Sequence, residues 1–180
     1  MKLLLGALIG GIVVFIWGSV SWMMLSWHEN TLLPFTNEPA VASVVKAGAP
    51  VSGVYLLPHA RAAQPSEPRQ SRAKQGPVLL AAVNLEGADP ANPAYYLRGL
   101  LIEIIGAGFM TALLLSLPGL SFWGCVRTSL WVGVTAGMLC RLPDWGWWGF
   151  SQEFTLISIV DLGISWFLGG LAIAAVLGRR

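Results

Sequence analysis

The chain has 180 residues, 55% of them hydrophobic and only 11% charged, with a formal net charge of +2. A soluble domain carries about 25% charged residues, so this sequence lacks the polar side chains to face water all round. The charge is small and its basic residues are scattered rather than striped, which argues against a nucleic-acid partner. Nine tryptophans point to a membrane–water interface, where indole rings are favoured.

Residues 3–27 carry no charge, enough to span about 30 Å of hydrocarbon as a helix. Lys2 precedes the run, as in a signal peptide. However, the run is too long for a signal core and ends in Trp22, Met23, Met24 and Trp27 rather than in small residues. It reads as an uncleaved anchor, the first of four transmembrane helices (residues 1–27).

Residues 28–95 are different material and read as a periplasmic segment. Thr36, Asn37, Glu38 and Pro39 form a helix start, followed by two short turns to Gly48. Residues 51–57 and 77–85 each read as a short strand, and together they predict an antiparallel hairpin. Between them, residues 59–75 are rich in Ala, Pro, Gln, Ser and Arg without apolar period, which predicts a loop. One helix and a hairpin are too small to stand alone, so the segment must pack on membrane helices or a partner.

Residues 96–180 hold the other three predicted spans. Asp89, Pro90, Asn92 and Pro93 punctuate the return, Tyr95 and Tyr96 resemble an interfacial belt, and the second span covers 97–117. After Pro118 and Gly119, the third span covers 122–140 with Arg127 inside it, whose long stem can snorkel to the interface. Residues 141–153 predict a Trp-rich connection, and residues 154–178 the fourth span. The fold class is therefore an all-α membrane protein, with a small extracytoplasmic helix-plus-hairpin insertion between helices 1 and 2. Lys2, Arg127, Arg179 and Arg180 fall on one side of this layout and Arg98 and Arg141 on the other, which places both termini in the cytoplasm.

Small residues four apart (Gly6 and Gly10, Gly133 and Gly137, Gly170 and Ala174) allow close helix approach, either within the monomer or across a dimer seam. Cys125 and Cys140 would lie about 22 Å apart on one helix, too far for a disulfide. No zinc, haem, phosphate-loop or hydrolase motif is present, and the two histidines, His28 and His59, fall outside the predicted hydrocarbon spans. The sequence thus suggests no catalytic residue, cofactor or metal.

Two features carry weaker functional readings. Trp145, Trp147 and Trp148, in the connection after Leu142-Pro143-Asp144, form either an interfacial belt or a platform for a lipid headgroup, quinone or pigment. Glu103 and Asp161 lie at similar depth inside the second and fourth spans. Ionisable groups there face the bundle interior or a partner, either as structural acids, protonated or paired with Arg98 or Arg141, or as functional ones. Trp17, Trp22 and Trp27, five residues apart, are spread around the first helix and predict no common face.

Trp17-Gly18 with Ser21-Trp22, the Gly53-Val54-Tyr55 strand, the Trp-rich turn, and Asp161 with Trp166-Phe167-Leu168-Gly169-Gly170 carry a further signal. In these the chain resembles a group of uncharacterised small bacterial inner-membrane proteins. The resemblance implies four spans and a bacterial source, and assigns no function or catalytic residues. The leading expectation is a non-enzymatic accessory or structural subunit of a larger bacterial inner-membrane complex, respiratory or photosynthetic complexes being examples. It would contact membrane lipids and other membrane subunits. The alternative is a small transporter or proton-conducting protein that uses the intramembrane acids.

Overall fold

Long apolar runs form the main helices of the computed structural model, which describes residues 1–60 and 67–178. In chain order the elements are α1 (Lys2–Met23), α2 (Glu38–Gly48), β1 (Gly53–Leu57), α3 (Arg69–Gln75), β2 (Leu79–Val83), α4 (Pro93–Ser116), α5 (Phe122–Trp148) and α6 (Gln152–Leu177). A single 3-10 turn, Glu29–Thr31, follows α1. Three helices, α1, α4 and α6, are long and apolar enough to cross a membrane. The described residues divide into two units: a helical unit of Met1–Leu32, Pro90–Trp145 and the chain from Phe150, and a smaller unit of Leu33–Asp89 with Gly146–Gly149.

In the helical unit, close contacts fix the helix directions. Gly6 meets Thr111 and Gly11 meets Ile104, so α1 and α4 run antiparallel. The Lys2 Nζ donates to the Leu177 carbonyl at 2.6 Å at one end, and Trp17 reaches Asp161 further along, so α1 and α6 are also antiparallel. Gly170 lies against Ser129 and Gly137 against Ile159, making α5 antiparallel to α6. Hence α1 and α5 run one way, α4 and α6 the other.

The glycines explain the tightness of these seams. A Cβ on Gly11 would lie 2.5 Å from the Ile104 Cα, and one on Gly133 2.7 Å from the Leu162 carbonyl oxygen. The small-residue positions Gly6, Gly10, Gly133, Gly137 and Gly170 thus pack against helices of the same chain, as the intramonomer reading expects. Buried hydroxyls complete the interior by returning to their own helices: Thr111 donates to the Ala107 carbonyl at 2.7 Å and Ser129 to that of Cys125 at 3.0 Å. Large apolar side chains such as Leu4, Phe109 and Leu139 face outward. Small and polar groups line the close seams around a compact apolar core that includes Leu114 and Ile173, with many bulky apolar side chains outside, as expected of helices packing in hydrocarbon.

α5 departs from its predicted form. The expected connection over 141–153 is helical as far as Trp148, so the helix runs 27 residues with Pro143 inside it. Proline lacks the N–H that would reach the Leu139 carbonyl, yet the turn is retained. It ends at Gly149, in a left-handed conformation (φ 77°), before Ser151 caps α6 by accepting from the Phe154 N–H at 3.1 Å. Arg127, Arg141 and Asp144 make α5 the least apolar of the four long helices, and it is not among the three that meet the length-and-apolarity condition.

The smaller unit contains the predicted hairpin and helix. β1 and β2 pair antiparallel, from Gly53 opposite Val83 to Leu57 opposite Leu79. α2 begins where the sequence indicates, with the Asn37 side chain accepting from the Ala40 N–H at 3.1 Å. The predicted loop 59–75 needs correction, because residues 69–75 are helical. This helix has no apolar face to reveal it. Arginines fix it instead: Arg69 donates to the Pro58 carbonyl, and Arg72 to those of Glu67 and His59. The rest of that loop expectation, at 61–66, and the basic pair Arg179 and Arg180 lie outside the described residues.

Candidate functional site: a buried aspartate–histidine cluster

α1 ends at Met23, and the chain then folds back through the 3-10 turn, bringing Trp27 and His28 beside the last turns of α1. This reversal is why tryptophans that no single helix could align meet around one point. Trp17 and Trp27 stand edge to face with centroids 6.3 Å apart, and Trp22 stacks on the His28 imidazole at 3.8 Å. The three rings line no single face of α1; they gather because Trp27 and His28 lie beyond its end and fold back on it. His28 is only 2% exposed.

At the centre is Asp161 of α6. One carboxylate oxygen, Oδ1, accepts from the Trp17 indole N–H at 2.7 Å and from the Ser21 hydroxyl at 2.8 Å. The other, Oδ2, lies 3.1 Å from His28 Nε2. Ser21 Oγ is in turn 3.1 Å from the Trp27 indole nitrogen and 3.2 Å from His28 Nε2. Since the single Ser21 hydrogen goes to Asp161, the serine oxygen can only accept from Trp27 and His28. The network therefore assigns the imidazole hydrogen to Nε2, pointing at Asp161 and Ser21. Nδ1, the other ring nitrogen, is buried and has no hydrogen-bond partner among the described residues.

The cluster borders a partly open cleft of about 260 Å³, also lined by Glu103, Arg141, Ser158 and Ser165. Glu103 and Asp161, matched in depth in the sequence, thus line one space. The arginines considered as their partners are otherwise engaged: Arg98 lies over the Tyr95 ring at 5.1 Å, and Arg141 donates to Asp144 at 3.4 Å while its side chain also borders the cleft. Glu103 has no hydrogen bond or ion pair among the described residues. The third set of candidates, Trp145, Trp147 and Trp148, sits in the last turn of α5, with Trp147 81% exposed, and is not part of the cleft.

The residues that sequence reasoning missed are Trp17, Ser21, Trp27 and His28. The available signal was their crowding within twelve positions at the end of an apolar run, where a chain reversal can return polar groups to the helix. Chemically, the arrangement holds an acid with hydrogen bonds on both oxygens, orients an imidazole with one nitrogen left without a partner, and puts a second carboxyl group on the same cleft. No group of three or more His, Cys, Asp or Glu residues suited to a metal occurs among the described residues. No protein-family model, curated protein or solved structure matches the chain.

Proposed function

We propose that this protein is a non-catalytic accessory subunit of a larger bacterial inner-membrane complex. The observation that carries the reading is the composition of the smaller unit's surface. Among the described residues of Leu33–Asp89 only Ala49 and Pro58 are buried, while Leu33, Val54, Val44 and Phe35 are exposed. A two-stranded hairpin with short helices cannot support itself without a covered apolar face. Val45, Tyr55, Leu57, Leu79 and Ala81 also line a groove of about 350 Å³ between α2 and the hairpin. In this reading another membrane subunit supplies the cover, and lipid covers the bundle.

The same reading takes α5 as a fourth span, with Arg127 near the end where Lys2 meets Leu177. Both termini then belong in the cytoplasm, by the basic residues at that end, and the hairpin unit in the periplasm. Purification from native membranes in a gentle detergent tests the proposal. The expected result is stoichiometric co-migration with a large complex that is lost when Leu33–Asp89 is replaced by a short flexible linker. Migration as a lone monomer or homodimer would overturn it.

A further inference from the structure

We propose that the cleft beside Asp161 is a proton-exchange site, in which His28 takes up and releases a proton at Nδ1 and Glu103, which lines the same cleft, is the exchanging carboxyl group. The inference does not depend on the accessory-subunit reading, because it rests on the helical unit alone.

Three observations support it. First, the tautomer is fixed: Nε2 is committed to Asp161 and Ser21, so the lone pair of the neutral ring lies on Nδ1. Second, Nδ1 is buried without a protein partner, in a side chain held on one face by Trp22 and at its edge by Trp27. A rigidly held buried acceptor left open is costly unless water or a proton satisfies it. Third, the adjoining cleft, although mostly apolar in surface, is bordered by the polar side chains of Glu103, Arg141, Ser158 and Ser165 and has room for several waters.

The charges around His28 also favour a mobile cation of the smallest size. From α6 comes Asp161, from α4 Glu103, and from α5 Arg141, itself hydrogen-bonded to Asp144. The turn that carries His28 adds only Glu29, which is exposed. With both cleft acids ionised and His28 neutral, the lining carries two negative charges against one positive, and one added proton balances it. The transfer itself is simple. The Glu103 carboxyl O–H bond breaks and, through an intervening water, an N–H bond forms at Nδ1, giving a carboxylate and an imidazolium whose second N–H remains on Asp161. The reverse step restores the neutral pair.

The test is ¹⁵N NMR of the histidine ring in protein reconstituted into lipid nanodiscs, with His59→Gln removing the other histidine. The expected wild-type result is an unprotonated Nδ1 at high pH that gains a proton on acidification, while Nε2 stays protonated throughout. Glu103→Gln should move that midpoint to lower pH by removing a neighbouring negative charge, and Arg141→Gln should move it to higher pH. The Trp17 and Trp27 indole N–H signals in the same samples verify that the Asp161 cluster is intact. An Nδ1 that does not change protonation in the wild type overturns the proposal. So does a midpoint that neither substitution moves while the indole signals persist.

Discussion

The helical unit and the hairpin unit handle their apolar residues in opposite ways. In the bundle, glycines, serines and one aspartate share the interior with a small set of apolar side chains such as Leu114, Val126 and Ile173, and many other large apolar side chains face out. In Leu33–Asp89 the apolar side chains are also outside, but with almost nothing packed beneath them. Large exposed apolar area suits a helix surrounded by hydrocarbon, where every backbone group is bonded within its own segment. It does not suit a five-residue strand pair, whose edges and faces both need a neighbour. The same surface character therefore fits self-sufficiency in one unit and dependence on a partner in the other.

Substitutions can break this contrast. The largest effect is expected for Asp161→Ala, which strands the Trp17 indole N–H, the Ser21 hydroxyl and the His28 imidazole inside the bundle. Removing one member of a buried charged network costs about 3–5 kcal/mol, which reversible unfolding in mixed micelles would register. Gly133→Leu follows, at about 2–3 kcal/mol, because its side chain must displace the Leu162 backbone and Trp166. A glycine change in the other unit should carry no such cost. Gly48 has open space around it, and Gly48→Ala is expected to leave the bundle unfolding unchanged while raising α2 helicity by at most about 1 kcal/mol.

Asn37→Ala should cost about 1 kcal/mol by removing the α2 cap. Hydrogen exchange should show it as faster opening of α2 alone, with no change in α1 or α6. The smallest perturbation comes from thiol labelling with an impermeant maleimide in intact cells. Cys125 is fully buried and Cys140 exposed, so Cys140 alone is expected to react. Absence of reaction at the exposed Cys140, toward the end of α5 assigned to the periplasmic side, would contradict the proposed orientation.

Elements governed by local chemistry were legible in the sequence. Unbroken apolar runs marked α1, α4 and α6, an Asn-Glu-Pro start marked α2, and two β-branched or aliphatic stretches bounded by Gly and Pro marked the hairpin. What was not legible depends on longer-range compensation. α3 is built from arginine-to-carbonyl bonds, which leave no periodicity. α5 continues through Pro143, where proline and four aromatic residues in the following seven suggest a turn. Glu103 and Asp161 were recognisable as unusual from their setting in apolar helices, and helix geometry suggested their common depth. The partners of Asp161 were not: Trp17 and Ser21 come from another helix, and His28 reaches it, with Trp27 bonded to Ser21, only through the reversal after Met23. No spacing rule within a helix predicts that return.

The central claim, that the hairpin unit depends on a partner, is tested most directly by hydrogen exchange over β1 and β2. The rates should be measured once in native membranes and once in the purified chain in nanodiscs. The account predicts that amides of Gly53–Leu57 and Leu79–Val83 exchange at least about tenfold more slowly in native membranes, a difference of about 1.4 kcal/mol, with α1 and α6 unchanged. Equal protection of both strands in the two preparations would contradict it.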